Sequence, residues 1–197
     1  MLYSPYDIVF EKVDECPRKG KIQHYFEIVY IVSGHGIQNI NQHKVQYQSG
    51  DLLLLTPSDI NTFDVQETTE FLFVAFHKHY IENNALSTEN SIKLEYLLQS
   101  ASTTKGCIIY NRSDKFFIKS IADGIVRESI NKRLYGKALI EQLMNALILM
   151  VARNLAMESP EDICETSEGK IVDILQYVQS NIYNPEKISL EKIGSAF

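Results

Sequence analysis

The chain has 197 residues and a net charge of −6, with 45% hydrophobic and 22% charged residues. This is an ordinary globular balance, with room for one domain plus an extension or for two small domains. The negative charge argues against a large nucleic-acid-binding surface within the chain.

Ile8 to Val13 alternates loosely and predicts a first strand, ended by the breakers around Cys16-Pro17-Arg18-Lys19-Gly20. Ile22 to Val32 is the strongest strand signal, because Tyr25, Phe26, Ile28, Val29, Tyr30, Ile31 and Val32 all favour extended backbone. Ser33-Gly34-His35-Gly36 reads as a hairpin turn, Ile37 to Ile40 as the returning strand, and Asn41-Gln42-His43 as a second tight turn. Val45 to Gln48 leads to a Gly50-Asp51 corner. Leu52 to Leu55 follows, an apolar run stopped by Pro57, and such a run reads as a strand buried on both faces. Asn61 to Val65 and Glu70 to His77 read as two more strands. About seven short strands at close turn spacing predict an antiparallel barrel or jelly roll.

The period then changes from 2 to 3.6. Asn90 to Ser100 predicts a short helix with Ile92, Tyr96 and Leu97 on one side. Ser113 reads as the N-cap of a helix running to Asn131, whose apolar face is Phe117, Ile121 and Ile125 with Phe116 and Ile118 beside it. Lys137 to Met157 is apolar round most of its circumference, so one barrel cannot cover it and it wants a partner. Its apolar run Leu143 to Ala152 is too short to cross a bilayer. Ser159 to Ser167 reads as an acidic linker. Glu168 to Ile182 is helical again, and Ser189 caps a last helix that stops at Phe197 after about two turns.

Residues 171–197, IVDILQYVQSNIYNPEKISLEKIGSAF, preceded by a barrel with a Gly-Asp corner and two helices, resemble the AraC family of bacterial transcription regulators. The resemblance implies a mostly β-plus-α chain: a cupin-like effector-binding barrel (jelly roll) over residues 1–82 and antiparallel dimerisation helices over 83–157. A linker over 158–167 and the start of a helix-turn-helix domain over 168–197 would follow. Ile174 to Ile182 would close the first helix of that unit and Ile188-Ser189-Leu190 begin the second, with Ile193 and Phe197 in its core. The recognition helix lies beyond Phe197, so DNA contact is expected only through a domain that is incomplete here.

Cupin metal sites carry His-x-His-x-x-x-Glu, a glycine seven residues beyond, and a histidine eleven residues after a leading glycine. Glu27 sits seven before Gly34, which places Lys21 and Gln23 at the two histidine positions and Asn61 at the third. An ammonium and two amides are poor ligands for a transition metal, so neither metal nor cofactor is expected. Gln23, Tyr25 and Glu27 alternate onto one face and Asn61 faces them. That set suits a small polar or cationic effector, a sugar among the candidates. His24 is one residue out of phase, and His77 and His79, at a strand end, read as solvated.

No Gly-x-Ser-x-Gly occurs and no cysteine lies near a histidine, so no nucleophilic catalysis is expected. A homodimer is, with Leu139, Ile140, Leu143, Leu147 and Met150 as its apolar contacts. Cys16, Cys107 and Cys164 are odd in number and far apart, and no signal peptide opens the chain, which predicts a reduced cytoplasmic protein away from membranes. The alternative function is a small cupin enzyme, an isomerase or dioxygenase acting on a sugar-like substrate.

Overall fold

The order of elements is β1 (Tyr6–Val13), β2 (Phe26–Ile40), β3 (His43–Gln48), β4 (Leu52–Leu55), β5 (Asn61–Phe76), then α1 (Lys78–Asn83), α2 (Thr88–Ser100), α3 (Arg112–Asn131) and α4 (Gly136–Glu158). The computed structural model describes residues 4–17, 24–57, 59–83, 88–100, 106–109, 111–131 and 133–158, with 174, 177, 178, 181 and 192. The chain divides into two units, Met1–Leu155 and Ala156–Phe197. In the second, Ile174, Tyr177 and Val178 are helical, and the Asn181 side chain donates to the Tyr177 carbonyl at 2.9 Å. The linker and most of the expected helix-turn-helix segment lie outside the described residues.

All strands pair antiparallel. β2 is central: β5 lies along one edge over its whole length, from Phe26 opposite Phe76 to Ile40 opposite Asn61. β4 and β3 share the other edge, and β1 extends the sheet beyond β5. β2 and β5 are 15 and 16 residues long, where the sequence suggested two strands each. Ser33 to Gly36 is therefore no hairpin turn. It is an irregular bend inside one strand, where the register to β5 shifts three times between Ile31 and Gly36.

Gly34 makes this bend possible. Its φ is +89°, and a Cβ there would lie 2.5 Å from both the Thr68 carbonyl and the Thr69 hydroxyl. The bend lets the sheet curl. Phe63 and Phe71 are eight residues apart on one strand, about 26 Å if it were straight, yet their ring centroids are 4.9 Å apart. Phe63 also meets Phe73 at 6.4 Å.

The curled sheet has two apolar faces. Val29, Ile31, Leu53, Leu55, Phe71 and Phe73 pack inside the curl with Ile40, Tyr47 and Phe63. Phe26, Ile28, Tyr30, Leu52, Leu54, Leu72, Val74 and Phe76 point the other way, onto the helices. Four consecutive buried leucines in β4 thus serve both clusters alternately, as a strand covered on both faces must. Asn41 and Gln42, with φ of 45° and 70°, make the two-residue turn into β3.

The helical layer corrects several expectations. α1 occupies what was read as a strand end, and His79 lies on it, paired with Glu82 at 3.1 Å. In α2 Ser91, Leu94 and Leu98 are buried, while Tyr96 is exposed. Asn111 caps α3: its side chain accepts from the Ser113 amide at 3.0 Å, so Ser113 is not the cap. Ile118, Ile121, Ala122 and Ile125 face the core, and Phe116 and Phe117 face solvent.

α4 is long and apolar enough to cross a bilayer by length and composition. Here Met144, Leu147, Ile148, Val151 and Leu155 are core residues. Tyr80 of α1 donates to the Asn145 side chain at 3.0 Å, and burial, helped by the Glu141 charge and then by Tyr6, pushes its phenol up to about 12.

Asp114 ties the start of α3 to the end of α4. It accepts from Asn154 at 2.9 Å and from Arg153 at 2.7 Å, and these bonds hold its carboxyl below the usual range, Asn154 being the largest cause.

Two outcomes follow. Gly34→Ala combines a disfavoured φ with overlap on β5 and should cost about 3 kcal/mol or more, read as a lower urea midpoint than that of the wild type. Asp114→Ala should cost about 2 kcal/mol at neutral pH by leaving Asn154 and Arg153 unmatched. Because the native carboxyl titrates low, this contribution is full above the ordinary aspartate pKa of about 3.9 and fades as pH falls below it. Thermal midpoints of wild type and variant should accordingly converge in acid.

Candidate functional site

The bend in β2 also decides which residues face the interior. Before it, odd positions point inward: Glu27 alternates with Val29 and Ile31 of the inner cluster. After it, even positions do, because Ile40 belongs to the same cluster. An irregularity of one residue has turned the strand over.

Glu27 is the deepest expected site residue, with 1% of its surface exposed. Its neighbours across the sheet are Leu55 of β4 and Ala75 of β5, and Asp7 of β1 lies beyond Ala75 in the same row. A carboxylate beside Leu55 and Ala75 is costly to bury unless a polar group meets it.

Asn61 opens β5 opposite Ile40 and accepts a hydrogen bond from the Gln38 side chain at 2.9 Å. Gln38 is 2% exposed and, by the reversed alternation, faces inward. It was not among the expected residues. The signal was available, since it stands two residues before the inward Ile40, but reading Ile37 to Ile40 as a separate hairpin arm concealed it.

A polar clasp sets the approach to Asn61. Asp59, buried, accepts from the Thr56 amide at 2.7 Å and its hydroxyl at 2.8 Å, and from the Asn41 side chain. The Asn41 side chain in turn accepts from the Ile60 amide at 3.0 Å.

Leu55 lies opposite Glu27, and Asn61 follows Leu55 by six residues, which can span at most about 21 Å. Asn61 and Ala75 are each two residues beyond Phe63 and Phe73, whose rings meet at 6.4 Å. Tyr25, half-buried just ahead of β2, stands edge-on to His77 with centroids 6.0 Å apart. Gln23 falls outside the described residues.

Deeper in, Thr69 donates to the Glu67 carbonyl at 2.7 Å. That leaves the Tyr47 hydroxyl as the donor in the 3.4 Å contact between the two. Burial raises the Tyr47 phenol above its ordinary value, against the lowering effect of Thr69.

Among the described residues no three His, Cys, Asp or Glu side chains converge as metal ligands would.

The five residues expected at a dimer contact are divided by the fold. Leu147 and Met150 are buried inside the protomer. Ile140 and Leu143 are half-buried against its core, Leu143 lying over Gly124 of α3. Leu139 is exposed.

No protein-family model matches the chain, and no curated protein does. Solved structures resemble part of the chain. A "predicted oxalate decarboxylase" from Thermotoga maritima is 24% identical over 36% of this chain and 64% of its own, with a TM-score of 0.33. A cupin superfamily protein from Desulfitobacterium hafniense is 10% identical over 39% of this chain and 72% of its own, with a TM-score of 0.36. The EutQ protein of Clostridium difficile is 21% identical over 36% and 48%, with a TM-score of 0.26. The match thus spans less than two thirds of the Thermotoga chain. At these values the architecture rests on the strand register and the curl themselves.

Asn61→Leu should leave the buried Gln38 amide without its acceptor and cost about 1–3 kcal/mol. The double change Gln38→Leu with Asn61→Leu should recover much of that loss, read as urea midpoints in a double-mutant cycle.

Proposed function

We propose that the chain is the effector-sensing and dimerisation portion of an AraC-type bacterial transcription regulator. A small polar ligand enters the inner face of a metal-free cupin barrel, and a C-terminal helix-turn-helix domain responds to it. The observation that carries this reading is the buried Glu27 carboxylate on the inner wall, on the strand that also carries Gln38, itself bonded to Asn61. A carboxylate, two amides and the Tyr25 phenol provide donors and acceptors for a polyol or an amine.

Dimer formation is assigned to α4. After Leu147 and Met150 are used in the protomer, its exposed line is Leu139, Gln142, Leu149 and Arg153 with the half-buried Ala146, at spacings of 3, 4, 3 and 4. That is the spacing of the a and d positions of a pairing helix, with Leu139, Ala146 and Leu149 as its apolar members. An effector acts through such a module only if it prefers one arrangement of barrel and helices over another.

The test is a thermal-shift screen against sugars, amines, short peptides and divalent metals, with Glu27→Gln in parallel. A ligand at about a hundred times its dissociation constant should add about 2.7 kcal/mol to the wild type. The shift should be absent or much smaller in Glu27→Gln. Stabilisation by a divalent metal alone would instead favour the cupin-enzyme alternative.

A further inference from the structure

Glu27 shares one row of the sheet with Leu55, Ala75 and Asp7. The next row holds Phe26, Phe76 and Tyr6, whose side chains pack on the opposite face, against the helices. The Phe26 and Phe76 rings stack with centroids 5.7 Å apart. Phe76 meets Tyr80 of α1 at 6.3 Å, and Tyr6 stands edge-on to Tyr80 at 5.5 Å. The buried carboxylate on one side of the sheet and this aromatic cluster on the other are thus carried by adjacent residues of the same strands.

The cluster ends in hydroxyls aimed at α4. Tyr80 donates to the Asn145 side chain at 3.0 Å and lies 3.5 Å from the Glu141 carbonyl oxygen. Tyr6 donates to the Glu141 carboxylate at 3.3 Å. Burial first, and then the Glu141 charge, raise both phenols, so each hydroxyl keeps its proton throughout the physiological range. Asn145 is the only polar residue from Leu143 to Ala152. Its neighbours Met144, Leu147 and Ile148 hold α4 by apolar contact. Apolar contact is non-directional, whereas a hydrogen bond stretched to about 3.6 Å is lost. The Tyr80–Asn145 bond therefore defines the seat of α4 more sharply than the packing around it.

We propose that Tyr80 is a positioning residue for α4, its hydroxyl relaying the state of the Glu27 row to that helix. This rests on the sensing role proposed above and names its route. A guest that meets Glu27 shifts backbone shared with Phe26 and Phe76, and Tyr80 moves with the Phe76 ring. A displacement of about 0.6 Å suffices to break or remake the bond to Asn145. Glu141 and Asn145 immediately precede Gln142 and Ala146 of the exposed line, so the signal arrives at the middle of the proposed pairing surface. Bonded and released, the Tyr80–Asn145 pair supplies the two states that coupling between sites requires.

Hydrogen exchange at the amides of residues 141–149, referenced to residues 118–125 of α3, tests this route without any guest. Glu27→Gln keeps the shape of the side chain and removes its charge. It should change the α4 rates relative to those of α3 by about twofold or more. The double variant Tyr80→Phe with Asn145→Leu removes donor and acceptor together and leaves no amide unmatched. In that background Glu27→Gln should leave the ratio unchanged. A Tyr80 that only stabilises the fold predicts otherwise, with Glu27→Gln shifting the ratio by the same factor in both backgrounds. Circular dichroism melts establish that each variant folds, and Tyr80→Phe alone serves where the double variant does not.

The proposal is overturned if Glu27→Gln leaves the α4 ratio unmoved in the wild-type background, or moves it equally in both. The two readings fail separately. A blank thermal-shift screen removes the sensing role without altering the exchange result. A guest that stabilises the wild type while the exchange ratio ignores Glu27→Gln removes the joint and keeps the sensor.

Discussion

The contact of Phe63 with Phe71 and Phe73 holds the rest of the fold in place. All three rings come from β5, and they meet only because that strand bends back over itself. β2 must bend with it, since the two strands are paired from end to end. The bend requires a residue in β2 that tolerates positive φ and presents no side chain to β5, and Gly34 meets both conditions. With the curl made, Tyr47 and Ile40 complete the inner cluster, and the polar end of the interior follows from the same geometry.

The outer face of this sheet would be an exposed apolar surface without the helices. Phe26, Ile28, Leu72 and Val74 need the cover that α3 and α4 supply through Ile118, Ile121, Leu147 and Val151. Barrel and helices therefore share one core, and the unit is one folding body rather than a barrel with an appendage. The Asp114 bonds to Arg153 and Asn154 fix the open end of the helical pair, and the Glu128 carboxylate lies beside Gly136 at the other. Both charges sit where helix ends favour opposite partners.

Much of this was legible in the residues. β1, the leucine strand, the Asn41-Gln42 turn, the Gly50-Asp51 corner and the two long helices stand where pattern and turn chemistry put them. The misreadings share a cause. Ser33-Gly34-His35-Gly36 looks like a turn locally and residues 66–69 fall between two predicted strands, yet β2 and β5 stay paired across both with shifts in register, because cross-strand pairing outweighs local preference when each strand has a long partner. The reversal of alternation at the bend is invisible to any fixed period. It hid Gln38, which follows the bend, whereas Glu27 precedes it and shares the alternation of Val29 and Ile31. On the helices, Phe116 and Phe117 looked like core by size, but the smaller Ile118, Ala122 and Ile125 fit the sheet's surface. Asn111 outcompeted Ser113 as a cap by standing one residue ahead of Arg112, where the first free amides of α3 are in reach.

The continuity of β2 and β5 carries a kinetic consequence. Each strand belongs to both walls of the curl, so the walls are covalently the same two ribbons. They cannot part at a seam by local fraying, as two separate sheets could. Opening the interior sideways would unbend both strands at Gly34 and separate Phe63 from Phe71 and Phe73. Exchange of any guest, and of amide hydrogens on the inner strands, is thereby confined to the ends of the barrel and to the short connections there. Those connections, above all the segment from Thr56 to Ile60 latched by Asp59, set how fast the interior communicates with solvent.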